Sequence, residues 1–414
     1  MPASFKKDFM YYKFCLYGFL KNLNFFEPFL LLFFVEKGFT FLQIGTLYAI
    51  QSISTNILEI PTGIMADAIG RRRTMIYSML SYLGAFVVYY FSSTFLLFAF
   101  AAVCMAFGDA FRTGTHKAMI FEYLKIKDWK DQKVYYYGNT RSWSQMGSAL
   151  SALIAGAIVF YSGSYKYVFL ASIIPYLLDL ILLLSYPAEL DGDLKEFSAG
   201  KVFVNFKNVI IEFIESFKNK NMLRAIINSS SYSGYFDAVK DYLQPVLKSF
   251  ALSIPFAFAV NEKQRSAVII AVVFFLLNVL TSFASKSAGH FHEKFRNIFR
   301  PMNVTLAAGL LLGAAAGFSN AGGLNSVSII FFIFLYLIHN IRRPLGEAYI
   351  TDSMQNDILA TALSTESQVT TLITALTAPV IGFIADMWGI GNAIAVVSLV
   401  YFFLMPLYYA RHAN

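Results

Sequence analysis

Four short constellations of ionisable residues stand inside apolar stretches of this 414-residue chain. The first holds Tyr17, Lys21, Asn24 and Glu27, and the second Asp109, Arg112, His116 and Lys117. The third is Asp237, Lys240 and Asp241, and the fourth His339, Arg342, Arg343 and Glu347. A charge at the centre of a bilayer costs about 2.5 to 3.5 kcal/mol on insertion scales, so charges kept at such depth point to a solute or a proton. Arg112, Arg342 and Arg343 carry forked donors suited to a carboxylate or phosphate; with Lys21, Asn24 and His116 they are the candidate solute-binding residues. Glu27, Asp109, Asp237 and Glu347 are the candidate proton-coupling carboxyls, because a carboxyl in a partly dry cavity, like the imidazole of His116, can take up and release a proton at working pH. At about 100° per residue, Asp109, Arg112 and His116 fall within an arc of about 60° on a continuous helix. Tyr17, Lys21, Asn24 and Pro28 share one face of another, and Pro28 predicts a bend there. The same spacings also allow Asp109 to neutralise Arg112, and Asp237 to neutralise Lys240.

The elements that must position these groups follow from composition. Charged residues make up 14% of the chain and hydrophobic ones 57%, including 43 Phe and 25 Tyr. That apolar share exceeds what the inside of a soluble globule of this length can hide, which excludes a soluble multidomain enzyme. Disorder and a disulfide scaffold are excluded as well, the latter by a count of only 2 Cys, both in apolar runs as Cys15 and Cys104. Apolar stretches long enough to span a bilayer run from Tyr11 to Val35 at one end to Asn392 to Ala410 at the other. Their spacing predicts an all-α integral membrane protein of twelve transmembrane helices in two pseudo-symmetric six-helix bundles. The expected division is a first bundle over 1–186, a central connection over 187–222 and a second bundle over 223–414. In the connection, Phe203, Phe206, Ile210, Phe213 and Phe217 recur among lysines and glutamates as an amphipathic helix suited to the lipid headgroup layer. The opening stretch lacks a small-residue cleavage site and reads as a first span rather than a signal peptide.

Lys and Arg set the orientation. With the N-terminus inside, the cytoplasmic connections collect Lys6, Lys7, Arg71 to Arg73, Lys125, Lys127, Lys130, Lys133, Lys286, Lys294, Arg296, Arg300 and Arg411. The opposite side receives only Lys37, Lys166, Lys263 and Arg265. Both termini are therefore expected in the cytoplasm, in a cytoplasmic inner membrane. The net charge of +8 then reflects membrane orientation and contact with anionic lipid rather than nucleic acid. The halves are weakly related too. A shift of about 230 residues sets Arg112 over Arg342, Asp109 over His339 and Glu122 over Asp352, and a similar one sets Gly156 and Gly163 over Gly382 and Gly389.

After the second stretch the chain reads Gly63-Ile-Met-Ala-Asp67-Ala-Ile-Gly70-Arg71-Arg72-Arg73, preceded by Glu59-Ile-Pro61-Thr. This resembles the cytoplasmic signature of the major facilitator superfamily, at the position where that family carries it. In chemical terms Gly63 permits close helix approach, Gly70 a sharp turn, and Asp67, at the unfavourable carboxyl end of its helix, needs a partner such as Arg71, Arg73 or the start of the eleventh span. The resemblance implies a cytoplasmic latch between the halves, so Gly63, Asp67, Gly70, Arg71 and Arg73 are the candidate gating residues. It also implies that the first, fourth, seventh and tenth spans line a central cavity. Ala68 departs from the usual charge network, which weakens the implied latch. The fifth stretch, Gly147 to Gly156, has no Gly-Pro pair, and Arg112 stands only two residues before Gly114; both argue against multidrug antiport.

No nucleotide-binding loop and no metal-ligand cluster occur, and His290-Phe-His292 reads as a solvated face, so neither cofactor nor metal is expected. No nucleophile elbow is present and the chain is not expected to be an enzyme. The resulting expectation is a proton-coupled symporter of a polar, anionic or zwitterionic organic solute working by alternating access. Its partners are the solute, protons and membrane lipid, with no nucleic acid, and the chain is expected to be a monomer. Proton-driven efflux of amphipathic compounds, through an aromatic pocket including Phe25, Phe26 and Tyr235, is the alternative.

Overall fold

The computed structural model describes residues 6–192, 194, 220–254, 261–295, 297–352 and 359–410, and every regular element among them is helical. The helices are α1 (Phe9–Lys21), α2 (Leu30–Glu36), α3 (Phe41–Ile69), α4 (Arg71–Phe91), α5 (Phe95–Arg112), α6 (Thr115–Ile126), α7 (Lys133–Ser162) and α8 (Tyr167–Leu184). They continue as α9 (Lys220–Val239), α10 (Leu243–Ser253), α11 (Glu262–Glu293), α12 (Phe299–Ala321), α13 (Asn325–Asp352), α14 (Leu359–Trp388) and α15 (Ile390–Leu404). The amphipathic run from Phe203 to Phe217, Arg296, Arg411 and the side chains of Lys130 and Asp352 lie outside the described residues.

Among the described residues, nine helical stretches are long and apolar enough to cross a membrane: α4, α5 continuing into α6, α7, α8 and α11 to α15. Twelve were expected, and the shortfall has visible causes. The first apolar stretch is cut into α1 and α2 by Asn22 to Phe29. Pro28 lies in the short 3₁₀ turn there and has no N–H to continue a ladder. The stretch from Leu223 is cut into α9 and α10 by a 3₁₀ turn over Lys240–Tyr242. α3 has the length but carries Gln51, Asn56 and Glu59 along its middle.

A further break falls at Gly114. Its φ of 76° lies in the left-handed region, and there the fourth stretch changes from α5 to α6. The 100° periodicity expected to carry Asp109 and Arg112 on to His116 therefore stops at Arg112, and His116 belongs to a different helix.

The described chain groups into two compact units. One holds the residues up to Phe29 and those from Ser54 through α8; the other holds Leu30–Ile53 and the residues from α9 onward. In the first unit, α4 packs on α5 and α8, and α1 on α7 and α8. In the second, α12 packs on α13 and α15, and α9 on α14. Phe91, Leu96 and Tyr161 are 77%, 80% and 86% exposed, an outward display of large apolar side chains that lipid, not water, can cover.

Within the second unit the broken first stretch is stitched back by side chains. The first N–H groups of α2 have no helical partner, and those of Leu31 and Leu32 donate to Oε1 of the buried Gln244 on α10, at 2.9 and 3.5 Å. The start of α3 is served likewise. The Phe41 and Leu42 amides donate to the two carboxylate oxygens of Asp386, on the last turn of α14, each at 2.8 Å. One turn earlier, Gly382 leaves no room for a Cβ, which would fall on the Phe41 carbonyl. Gly382, Asp386 and Gly389 repeat the spacing of Gly63, Asp67 and Gly70.

Candidate functional site

In the first unit, α1, α4, α5 and α8 bring one polar cluster together. Lys21, in the last turn of α1, donates from Nζ to the Tyr176 hydroxyl of α8 at 3.0 Å. Its ammonium stands 4.8 Å from the ring centre of Tyr82 and 5.1 Å from that of Tyr176, a cage of two aromatic faces at right-angled packing. Among the described residues no carboxylate lies within ion-pair distance of Lys21. The Tyr82 hydroxyl donates to Asp109 Oδ1 at 2.5 Å and accepts from Arg112 Nε at 3.4 Å. The Arg112 guanidinium is 3.7 Å from the same carboxylate and 36% exposed. Gly108 makes this possible, because a Cβ there would strike the Tyr82 ring. His116, on α6, stacks on Tyr17 at 3.9 Å between centroids, and among the described residues neither its Nε2 nor the Tyr17 hydroxyl has a hydrogen-bond partner. Asn24 donates to the exposed Glu27 at 2.5 Å, so these two are tied to each other at the break after α1.

The cluster of the second unit is divided. Lys240 Nζ meets Asp237 at 2.9 Å, both about one-third exposed, which is the neutralising pair that the spacing allowed. His339 stacks on Phe236 at 4.0 Å. Arg343 and Glu347 face each other at 4.0 Å and are more than 60% exposed. Glu366, on α14, accepts from Ser229 at 3.0 Å within electrostatic reach of Asp237, Arg343 and Glu347.

Arg342 takes a different position from that expected of a solute-binding group. It is 2% exposed, and it donates to the Met302 carbonyl, to Thr305 Oγ1 at 3.0 Å, to the Asn228 carbonyl at 2.9 Å and to Asn228 Oδ1 at 2.5 Å. Its guanidinium thereby ties α9, α12 and α13 and offers no open edge to a solute. The duplication that aligns it with Arg112 preserves the residue type but not the exposure.

The signature segment is also revised in detail. Gly63 is exposed, and among the described residues nothing lies within 4 Å of where a Cβ would stand, so it provides no close approach to any described helix. Gly70 does what its type suggested. Its φ is 102°, and the Asp191 carboxylate lies 2.6 Å from the position a Cβ would take. That carboxylate accepts from the Arg72 amide at 2.8 Å, capping α4, and Arg72 also reaches the Tyr186 carbonyl at 2.9 Å. Arg71 pairs with Glu122 at 3.5 Å, and Arg73 is exposed. Asp67 is half-buried in the last turn of α3.

Sequence reasoning passed over Tyr82, Tyr176, Glu366, Asp191 and Gln244, and it met Asp386 only as the end of the duplicated segment from Gly382, with no role. The tyrosines carried no distinguishing signal among 25 of their kind, whereas Asp386 stood in a spacing already marked at Asp67. Aromatic residues suggested for a greasy pocket are committed to packing: Phe26 lies on Phe86 and Phe169, and Tyr235 bonds Ser398 at 2.6 Å.

A family model described as Major Facilitator Superfamily matches residues 14–364. The chain is 22% identical over 400 residues to the uncharacterized MFS-type transporter YxaM of Bacillus subtilis (strain 168), covering 93% of this chain and 90% of that one. Among solved structures it is similar to a variant of the nucleoside transporter NupG, with a TM-score of 0.73 and 16% identity, covering 96% of this chain and 97% of the other. A POT family transporter in complex with a thioalcohol-conjugated peptide gives a TM-score of 0.73 and 12% identity, over 96% and 95% of the two chains.

Proposed function

Because this chain belongs to the major facilitator superfamily, and is thus a membrane transporter rather than an enzyme, we propose that it moves a polar, anionic or zwitterionic organic solute by proton-coupled symport. The observation that carries this reading is Lys21. A half-buried ammonium held by one phenol and two ring faces, with no carboxylate at ion-pair distance among the described residues, can take the counter-charge of a solute. Arg112 stands on the same Tyr82 and turns a partly exposed fork outward, suited to a second oxygen of the same carboxylate or phosphate. Asp109 supplies the acceptor that an amino group of a zwitterion would need. His116, stacked on Tyr17, adds an imidazole edge to this group; Asn24 and Arg343 are weaker candidates because each is engaged by a glutamate.

Alternating access follows the family pattern, with the first and second halves of the chain, 1–186 and 223–414, as the moving parts and the segment from Asp67 to Arg73 as the cytoplasmic gate. The excess of Lys and Arg on one set of connections supports both termini in the cytoplasm and residence in a cytoplasmic membrane. The neighbours' nucleosides and peptides are consistent with a polar solute of small to moderate size.

The test is a thermal-shift screen of the purified protein against carboxylates, phosphates, zwitterions and cationic amphiphiles, since a ligand of the folded state raises its unfolding temperature. Anionic or zwitterionic compounds should raise it in the wild type and fail to do so in Lys21→Gln and Arg112→Gln. A response confined to cationic amphiphiles, unchanged in both variants, would overturn the reading in favour of efflux.

A further inference from the structure

Asp179, in the C-terminal half of α8, is 0% exposed, and among the described residues neither of its carboxylate oxygens has a hydrogen-bond partner. No other carboxyl among the described residues shares both properties. Asp109 has the Tyr82 hydroxyl, Asp237 has Lys240, Glu347 has Arg343 and Glu27 has Asn24. An ionised carboxylate so placed would lack every hydrogen bond that normally offsets its burial, a cost of several kcal/mol, whereas the neutral acid has far less to lose.

The groups facing it sharpen the point. Lys21 and Tyr17 of α1, Arg112 of α5, and Tyr176 and Tyr186 on its own side act on Asp179 electrostatically. Of the other helices packed on α8, α4 adds Tyr82, which is spent on Asp109, and neither α4 nor α7 adds a charge that acts on Asp179 among the described residues. Two cations therefore sit around a buried acid that neither of them touches.

We propose that Asp179 is the seat of the coupling proton in the first unit and that it reports its occupancy through Lys21. With a proton on Asp179, the carboxylates still acting on Lys21 are Asp109, already engaged by Tyr82 and Arg112, and Glu27, engaged by Asn24, and the ammonium stays available to the anionic group of a solute. When the proton leaves, the new carboxylate, which unlike Asp109 and Glu27 has no hydrogen-bond donor on it among the described residues, adds its pull on that ammonium and competes with the solute for it. Proton and anion thus bind together, at different groups, and the coupling between them is positive, as symport requires. This inference rests on the proton-coupled reading above, but occupancy of Asp179 can be measured without knowing the solute.

The experiment is infrared difference spectroscopy of the purified protein titrated between about pH 5 and pH 9. The wild type should show the carbonyl stretch of a protonated carboxyl that is lost reversibly as pH rises. Asp179→Asn should remove that band, Asp179→Glu should shift it, and Lys21→Gln should displace its midpoint to higher pH by removing the neighbouring cation. Equal unfolding temperatures for the wild type and Asp179→Glu show that the fold is kept. A band that survives in Asp179→Asn, or that is lost instead in Asp109→Asn, overturns the assignment; so does a wild type with no protonated carboxyl at any pH. Failure of the thermal-shift screen with a normal infrared band would sink the solute reading and leave the proton site standing.

Discussion

Replacing Asp386 by Ala isolates one contact with a calculable consequence. Its carboxylate receives the Phe41 and Leu42 amides at 2.8 Å each, two of the first-turn donors of α3 that no helical carbonyl can satisfy. Removing a capping side chain costs about 0.5 to 2 kcal/mol, and the lost attraction between the charge and the helix end belongs within that range for so exposed a residue. The cost is local, because the amides can turn to water. It should therefore appear as fraying of the start of α3, with amide exchange at Phe41 and Leu42 accelerated by about 2-fold to about 30-fold. Hydrogen exchange read by mass spectrometry on peptides covering residues 41 to 46 measures this directly. Asp386→Asn, which keeps one acceptor oxygen but no charge, should fall between the wild type and Asp386→Ala. Exchange in α15, which does not use this carboxylate, serves as the control. If Asp386→Ala leaves residues 41 and 42 protected as in the wild type, the capping argument is refuted.

Other substitutions should separate by mechanism. Gly382→Ala drives a methyl into the Phe41 carbonyl and should lower stability by about 1 to 3 kcal/mol, seen as a lower unfolding temperature. Gly63→Ala meets open space and should be neutral or stabilising by up to about 1 kcal/mol in the same assay, despite its place in the signature. Gly70→Ala combines a φ of 102° with the Asp191 carboxylate where its methyl would stand; a loss of about 1 to 3 kcal/mol and reduced surface expression are expected. Arg342→Lys keeps the buried charge but cannot reach α9 and α12 together, so it should cost about 1 to 3 kcal/mol of stability, whereas Arg112→Lys should leave the unfolding temperature near that of the wild type.

The membrane class, the apolar stretches and the gathering of charge on a few of them were legible from residue type and run length, since a bilayer imposes both. So was the pairing of Asp109 with Arg112 and of Asp237 with Lys240, because partners three residues apart on a helix meet without help from the rest of the chain. What was hidden depends on partners distant in sequence. Arg112 and Arg342 look alike in a sequence, and only the approach of Asn228, Met302 and Thr305 makes the second a structural tie. Asp179 gave no sign of its isolation, because an acid in an apolar run is as readily paired as alone. The face shared by Asp109, Arg112 and His116 assumed a continuous helix, and one glycine with a positive φ ended it.

The contact between Asp191 and the turn at Gly70 has a mechanical side. Asp191 is among the last described residues before the long link to the second half, and its carboxylate is fastened to the Arg72 amide and seated where Gly70 has no side chain. The segment that follows α8 is thereby fixed to the mouth of α4, and a substitution at either Asp191 or Gly70 would release both sides of this rivet at once.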